Sequence, residues 1–244
     1  MIAPTPEELA EAYKLIRRQL PWNNSPVHLL HHRVLPFATY APWLSDSDFQ
    51  NLMARIGDHT LVDLYRCYEL YSLARQCVGV PGDVLEVGVW RGGTGAILGE
   101  VFKRESEKLV FLADTFRGVV KAGVRDTSYR GGEHADTSRL IVETLLDSLG
   151  LCNCRLLEGI FPEETGAQII GKISFLHVDV DVYESCRDVV GWAMPRLSPG
   201  SMMVFDDYGF SGCEGVTEFC NELRSESGFL FIHNLNGHAI FVKR

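Results

Sequence analysis

The segment D-V-L-E-V-G-V-W-R-G-G-T-G, residues 83–95, decides the fold predicted for this chain. It starts as an apolar run of strand length and passes through glycines into residues with helical spacing. We therefore predict a strand over 83–89 and a helix that begins near Gly93. The same alternation recurs down the chain, with further strands predicted over residues 108–114, 154–159, 173–180, 201–207, 229–235 and 238–244.

Strands that alternate with helices predict an α/β fold, in which a mainly parallel sheet has helices on both faces. The last two strands are joined through Asn236-Gly237, which predicts an antiparallel hairpin at the sheet edge. Residues 1–80 differ, because they show helical spacing and irregular stretches, and Thr5 and Glu8 have the spacing of a capping box. We predict an N-terminal helical and irregular segment, 1–80, followed by one compact domain, 81–244.

Composition and charge exclude some classes of function. The net charge of -9 argues against a nucleic-acid partner. No apolar run approaches membrane-spanning length, and no basic segment followed by an apolar one marks the N-terminus as a signal peptide. The seven cysteines are scattered singly, which is typical of reduced thiols. These features predict a cytoplasmic protein with no membrane partner.

The first predicted strand ends in a glycine turn, and the second ends in an acid. Ligands of open α/β sheets bind beyond the carboxyl ends of the strands, so residues at these ends are candidates for a site. The turn does not match the dinucleotide fingerprint or the P-loop, and a plain strand-to-helix turn is the alternative. Asp114 is placed to accept hydrogen bonds from ribose hydroxyls, and a turn cap at Thr115 is its alternative. Together they favour a nucleoside ligand whose reactive group is not a phosphate.

Four aspartates follow two other strands. Asp179 and Asp181 end the fourth strand, two residues apart, and Asp206 and Asp207 end the next one. If these strands pair, the carboxylates crowd one spot and cannot all ionise unless a positive charge joins them. Mg²⁺ with oxygen ligands meets this need. The alternative is that Asp206 and Asp207 cap the following helix or pair with arginine.

These motifs resemble the S-adenosylmethionine-dependent macrocin O-methyltransferase family, which acts on deoxysugar hydroxyls of antibiotics. The resemblance spans roughly residues 55–244 and rests on the stretches 83–93, 113–118, 177–185, 195–201 and 204–208. It implies a Rossmann-like methyltransferase fold with a seven-stranded sheet.

The resemblance also implies site residues. S-adenosylmethionine would contact an upstream segment, the glycine turn, the end of the second strand and the segment after the third, namely Thr60, Arg66, Glu86, Gly88, Arg91, Gly92, Gly93, Asp114, Thr115, Gly159 and Phe161. The metal ligands would be Asp179, Asp206 and Asp207. The catalytic base would be Asp179, with Asp181 as second choice.

The predicted function is a Mg²⁺-dependent O-methyltransferase that acts on a vicinal diol, on a sugar of a natural product such as an antibiotic. A phenolic or catechol O-methyltransferase is the runner-up, and a metal-dependent hydrolase and an idle nucleoside-binding module are alternatives from other classes. The resemblance further implies a small-molecule acceptor and a homo-oligomer, a dimer or tetramer.

Residues 117–136 form a long loop that is either a lid over the site or a solvated surface loop. The loop offers four groups to an acceptor, namely Lys121, Arg125, Arg130 and His134. Elsewhere, His177 is predicted to face the sheet or the adenine, and His238 to reach the rim of the site. His28, His31 and His32 are predicted to lie at a surface or an interface.

Overall fold

The structure is a computed structural model that describes residues 5–19, 38–103 and 108–244. Its contacts divide the chain between Ala41 and Pro42, and residues 42–244 form one compact unit. The boundary predicted at residue 80 stays a prediction, and the histidines at 28, 31 and 32 lie outside the described residues. In the first unit, helix α1 (Pro6–Gln19) begins with the expected capping box: the Thr5 amide donates to Glu8 over 2.7 Å, and the Glu8 amide donates to the Thr5 hydroxyl over 3.2 Å.

A seven-stranded sheet forms the centre of the second unit, as the sequence predicts. Its strands are β1 (Asp83–Val87), β2 (Val110–Asp114), β3 (Cys154–Glu158), β4 (Ile173–Val178), β5 (Leu197–Phe205), β6 (Phe229–His233) and β7 (Ala239–Lys243). They lie in the order β3-β2-β1-β4-β5-β7-β6; the first five are parallel, and β7 is antiparallel to both of its neighbours. The chain therefore reverses its winding direction between β1 and β4, where open α/β sheets form a ligand crevice.

Helices cover both faces of the sheet. They are α2 (Ser47–Ile56), α3 (Leu64–Gln76), α4 (Gly93–Phe102), α5 (Arg139–Leu149), α6 (Tyr183–Ala193) and α7 (Glu214–Leu223). Successive strand residues point to opposite faces, so Val84 packs in a core with α2 to α5, whereas Leu85 packs in a core with α6 and α7. Every residue of β4 is buried, which explains its nearly continuous apolar sequence.

Three strands end earlier than predicted. β1, β4 and β5 end two residues early because the backbone then turns out of the sheet, with positive φ at Gly88 (89°), Asp181 (64°) and Asp207 (61°). The predicted site residues therefore lie on the turns that follow the strands.

The connection between β6 and β7 also differs from the prediction. It runs over residues 234–238, so Asn236 and Gly237 are only its centre. Side chains at both ends of this loop turn toward Glu69 on α3: the amide of Asn234 donates to it over 2.6 Å, and Nδ1 of His238 lies 2.8 Å away. These bonds replace further strand pairing.

Candidate active site

A cavity opens where β1, β2, β4 and β5 end. Most of the predicted site residues line it, namely Thr60, Arg66, Gly88, Asp114, Thr115, Gly159, Phe161, Asp179, Asp181, Asp206 and Asp207. Glu86, Arg91, Gly92 and Gly93 do not line it. The structure thus brings the predicted ribose, adenine and metal residues together around one space, and it places part of the glycine turn behind that space.

The glycine turn is compact because its neighbours are backbone atoms. A Cβ at Gly88 would lie 1.7 Å from the carbonyl oxygen of Asp179, and one at Gly93 would lie 2.6 Å from that of His59. No side chain fits at either position. The glycines let β1 approach the turn after β4 and let α4 approach the segment before α3, so they shape the cavity whether or not they contact a ligand.

Glu86 and Arg91 contact other residues of the protein rather than the cavity. Glu86 is fully buried, and its Oε1 lies 2.8 Å from Nδ1 of His177, which is also buried. Arg91 stacks 4.5 Å from the ring centroid of Trp90 and forms an ion pair of 2.8 Å with Asp136. Direct contact of Glu86 or Arg91 with a cofactor stays a prediction. His177 lies against the sheet, which is one of its two predicted positions.

Asp114 ties the glycine turn to β2. Its Oδ2 accepts from the amides of Val89 and Trp90 over 2.7 and 2.8 Å, and its Oδ1 accepts from the amide of Phe116 over 2.7 Å. The two amides use both lone pairs of Oδ2, but Oδ1 keeps a second lone pair, so the side chain can still accept a hydrogen bond from a ligand in the cavity. Thr115 forms the turn cap named as the alternative, since its hydroxyl accepts from the Arg117 amide over 3.1 Å.

The four aspartates after β4 and β5 form one cluster. Oxygen atoms of Asp179, Asp206 and Asp207 lie within 4.8 Å of one another. Burial, followed by the charges of Asp206 and Asp207, raises the pKa of Asp179 well above its usual value. Burial and the charge of Asp207 raise the pKa of Asp181 to about 7. Protons on Asp179 and Asp181 thus reduce the negative charge of the cluster when no metal ion is bound.

Arg66 and His238 supply positive charge to this cluster. Arg66 is buried, and one of its terminal nitrogens lies 2.6 Å from Oδ2 of Asp206 and 3.1 Å from Oδ1 of Asp207. Nε2 of His238 lies 3.0 Å from Oδ1 of Asp206. Burial alone would raise the pKa of Asp206, but His238 and Arg66 outweigh it and lower that pKa.

These contacts change two expectations. The alternative of arginine pairing is realised for Asp206 and Asp207, so a metal is not their only source of positive charge. His238 is fully buried behind the cluster rather than at the rim of the cavity.

The donor set fits Mg²⁺. Four carboxylates face two positive groups in the cluster, Arg66 and His238, so all four can ionise together only if a further cation joins them. The three converging groups are carboxylate oxygens, which are the ligands that Mg²⁺ prefers. Burial first, and then the neighbouring aspartates, raise the pKa values of Asp179 and Asp181, and a bound cation would oppose both shifts.

The loop from 117 to 136 is attached to the fold. Lys121 pairs with Asp188 on α6 over 2.8 Å, and Arg125 pairs with Glu218 on α7 over 2.9 Å. Arg130 donates to backbone carbonyls of the loop itself. His134 does line the cavity. Three of the four groups predicted to face an acceptor therefore point elsewhere.

Sequence reasoning missed Tyr129 in this loop. Tyr129 lines the cavity, and its hydroxyl donates to Oδ1 of Asp181 over 2.6 Å. Burial and the charge of Asp181 raise the pKa of the Tyr129 hydroxyl, which keeps it a donor. A single tyrosine in a loop has no spacing pattern, and the length of the loop was the only signal.

The sheet order and the cavity at its switch point define the class, a Rossmann-like methyltransferase fold. Two solved structures share it. The O-methyltransferase NovP superposes with a TM-score of 0.66 at 24% identity, covering 76% of this chain and 82% of that one. CalS11, a calicheamicin methyltransferase, superposes with a TM-score of 0.65 at 18% identity, covering 99% and 94%.

The chain belongs to the macrocin O-methyltransferase family, whose model matches residues 48–242. It is 32% identical over 168 residues to the 8-demethyl-8-(2,3-dimethoxy-alpha-L-rhamnosyl)-tetracenomycin-C 4'-O-methyltransferase of Streptomyces olivaceus, a match that covers 64% of each chain. It is 32% identical over 177 residues to the mycinamicin III 3''-O-methyltransferase of Micromonospora griseorubida, covering 66% of this chain and 70% of that one. None of the described helices is long and apolar enough to cross a membrane.

Proposed function

We propose that this protein transfers the methyl group of S-adenosylmethionine to a hydroxyl group of a small-molecule acceptor, with Mg²⁺ held by Asp179, Asp206 and Asp207. One observation carries the proposal: these three carboxylates converge in the same cavity as Asp114 and Gly88. Family membership supports it, as do two relatives whose names specify O-methylation of a rhamnosyl tetracenomycin and of mycinamicin III.

The proposed acceptor is a vicinal diol on the sugar of a natural product. When bound, Mg²⁺ would orient two neighbouring acceptor oxygens and lower the pKa of the attacking hydroxyl. A catechol offers the same pair of oxygens, so a phenolic acceptor remains the runner-up. The described residues give no specific support to a hydrolase, and the family membership argues against one.

The donor would lie across the ends of β1, β2 and β3. Asp114 keeps one lone pair, on Oδ1, for a ribose hydroxyl, while its amide contacts fix the turn. Phe161 lines the cavity and is held edge-on by Trp192, with ring centroids 4.8 Å apart, so it presents a fixed apolar surface to the adenine. When bound, S-adenosylmethionine supplies an electrophilic methyl group, and binding both reactants in one cavity supplies much of the rate acceleration.

We assign the role of catalytic base, which takes the proton of the acceptor hydroxyl, to Asp181. The sequence placed the base on Asp179 first, but Asp179 is one of the three converging carboxylates, and a metal ligand has less capacity to accept a proton. Asp181 is outside that set and adjacent to it. In the proposed step the acceptor oxygen forms a bond to the methyl carbon, the carbon–sulfur bond breaks, and Asp181 takes the hydroxyl proton. The products are a methyl ether and S-adenosylhomocysteine.

A turnover assay with labelled donor tests this function. Wild-type protein is incubated with Mg²⁺ and a panel of glycosylated natural products, free sugars and catechols. We expect transfer to at least one sugar diol, loss of transfer with a chelator, and recovery with Mg²⁺. Asp207→Asn should remove turnover, whereas Asp147→Asn, an exposed aspartate of α5, should not. Equal turnover with and without chelator would refute the metal role.

The oligomeric state and the location follow only from the resemblance and the sequence. We propose a homo-oligomer, a dimer or tetramer, in the cytoplasm. Light scattering after gel filtration would measure the mass of the particle, and a monomer at micromolar concentration would contradict this part of the proposal.

A further inference from the structure

The loop that carries Tyr129 is fixed to helix α6 by a buried carboxylate. Asp126 is only 3% exposed. Its Oδ1 accepts from the amide of Tyr183, the first residue of α6, over 3.0 Å, and its Oδ2 accepts from the amide of Gly123 over 2.8 Å. One side chain therefore caps the helix and closes a turn of the loop. The loop is therefore anchored to α6 three residues before Tyr129.

Contacts on both sides of Asp126 extend this attachment. On one side, the hydroxyl of Ser185 donates to the carbonyl of Val120 over 3.1 Å. On the other, the guanidinium of Arg130 donates to the carbonyls of Asp126 and Thr127 over 3.2 and 2.9 Å. The residues on either side of Tyr129 are thus bonded to the fold or to each other, so its ring is held over the cavity.

The hydroxyl of Tyr129 makes one short contact, the bond of 2.6 Å to Oδ1 of Asp181. Its other neighbours are farther away, with Nε2 of His134 at 3.5 Å and Sγ of Cys213 at 3.9 Å. The backbone of Asp181 is left-handed, with φ of 64°, which is a costly conformation for a residue other than glycine. The bond from Tyr129 fixes the side chain of this strained residue.

We propose that Tyr129 is a positioning residue for Asp181. By donating to Oδ1, it holds the carboxylate of Asp181 in one orientation beside Asp207, and leaves Oδ2 to accept the proton of the acceptor hydroxyl. This inference rests on the proposed function, because it gives Tyr129 a role in the proton-transfer step. Tyr129 exchanges no proton with the acceptor and forms no bond to the donor.

Tyr129→Phe tests the role, because it removes the hydroxyl and keeps the ring. We expect kcat to fall about 10- to 100-fold, which is at or below the ~10²- to 10⁴-fold contribution of a general base because Asp181 itself remains, and KM for donor and acceptor to stay within about twofold. Mg²⁺ affinity, measured by calorimetry, should be unchanged. Tyr65→Phe is the matched control, since Tyr65 is 48% exposed and does not line the cavity, and it should behave as wild type.

A double-mutant cycle separates positioning from general loop structure. If Tyr129 acts through Asp181, Tyr129→Phe should lower kcat little or not at all in an Asp181→Asn background. An additive loss would overturn the proposal. So would an unchanged kcat in the single variant, or a rise in acceptor KM alone, which would make Tyr129 part of the acceptor pocket. Failure of the wild-type protein to transfer a methyl group would refute the proposed function; an active wild type with a fully active Tyr129→Phe variant refutes only this inference.

Discussion

Replacing Arg66 by methionine should lower the free energy of unfolding of the metal-free protein and raise its affinity for the metal. Arg66 is 7% exposed in its side chain and lies against Asp206 and Asp207, two of the proposed metal ligands. Methionine keeps a flexible side chain beside Phe210, whose ring centroid is 4.5 Å from the guanidinium carbon. Removing one partner of a buried ion pair leaves uncompensated charge and costs about 3–5 kcal/mol. Proton uptake by the aspartates offsets part of this, so we expect a loss near 3 kcal/mol.

The effect on metal affinity has the opposite sign. Two unit charges about 4 Å apart interact by about 4 kcal/mol at an effective dielectric constant of about 20. Because the cavity is open to water, we take about one third of this, ~1.4 kcal/mol, as the repulsion between Arg66 and a bound cation, which is about a tenfold change in Kd.

Two measurements test the expected loss of stability and the expected gain in Mg²⁺ affinity. Denaturant unfolding in a chelator gives the stability of the metal-free protein, and calorimetric titration with Mg²⁺ gives the affinity. Arg75→Met is the control, since Arg75 is on the same helix and 60% exposed in its side chain. If Mg²⁺ affinity fell or stayed the same in Arg66→Met, while Arg75→Met matched wild type, Arg66 would not compete with a cation for these carboxylates.

Three further predictions concern the donor site, the packing under it and the pH response. Asp114→Asn should raise the Kd of S-adenosylhomocysteine by at least tenfold in calorimetry. The substitution replaces one carboxylate oxygen by an NH2 group, which cannot accept hydrogen bonds, so either the two backbone amides or the ligand lose their acceptor. An unchanged Kd would contradict this. Gly95→Ala should lower the free energy of unfolding by about 1–3 kcal/mol, because its Cβ would lie 2.7 Å from Oε2 of Glu86, whereas Gly79→Ala has open space and should change it little. The folded state raises the pKa of Asp181 from its usual 3.8 to about 7, so it binds this proton more tightly than the unfolded chain does. In a chelator, the contribution of Asp181 to stability should therefore fall as pH rises from 4 to 7, and denaturant titrations of Asp181→Asn against wild type should show the loss of that contribution.

The strands and the acidic cluster were predictable because their signals are local. Apolar runs mark β1, β2, β4 and β5, and the aspartates stand directly after two of them, so the topology of an α/β fold places them at one edge. The strand ends were predicted too late because aspartate occurs in extended as well as left-handed backbone, so the positive φ of Asp181 and Asp207 could not be read from residue type alone.

The partners of the cluster were not predictable in the same way. Arg66 reaches Asp206 across 140 positions of sequence, and Tyr129 reaches Asp181 across 52. Such pairs depend on how α3 and the loop pack against the sheet, which no periodicity encodes. The resemblance gave Arg66 a cofactor role, and the structure places its guanidinium on the aspartates.

Calorimetric titration of chelator-treated protein with Mg²⁺, without donor or acceptor, measures the cation site most directly. We predict one ion per chain for the wild type, no measurable binding for Asp207→Asn, and wild-type binding for Asp147→Asn. Absence of binding to the wild type, or equal binding to Asp207→Asn, would show that the carboxylates after β4 and β5 do not hold a metal.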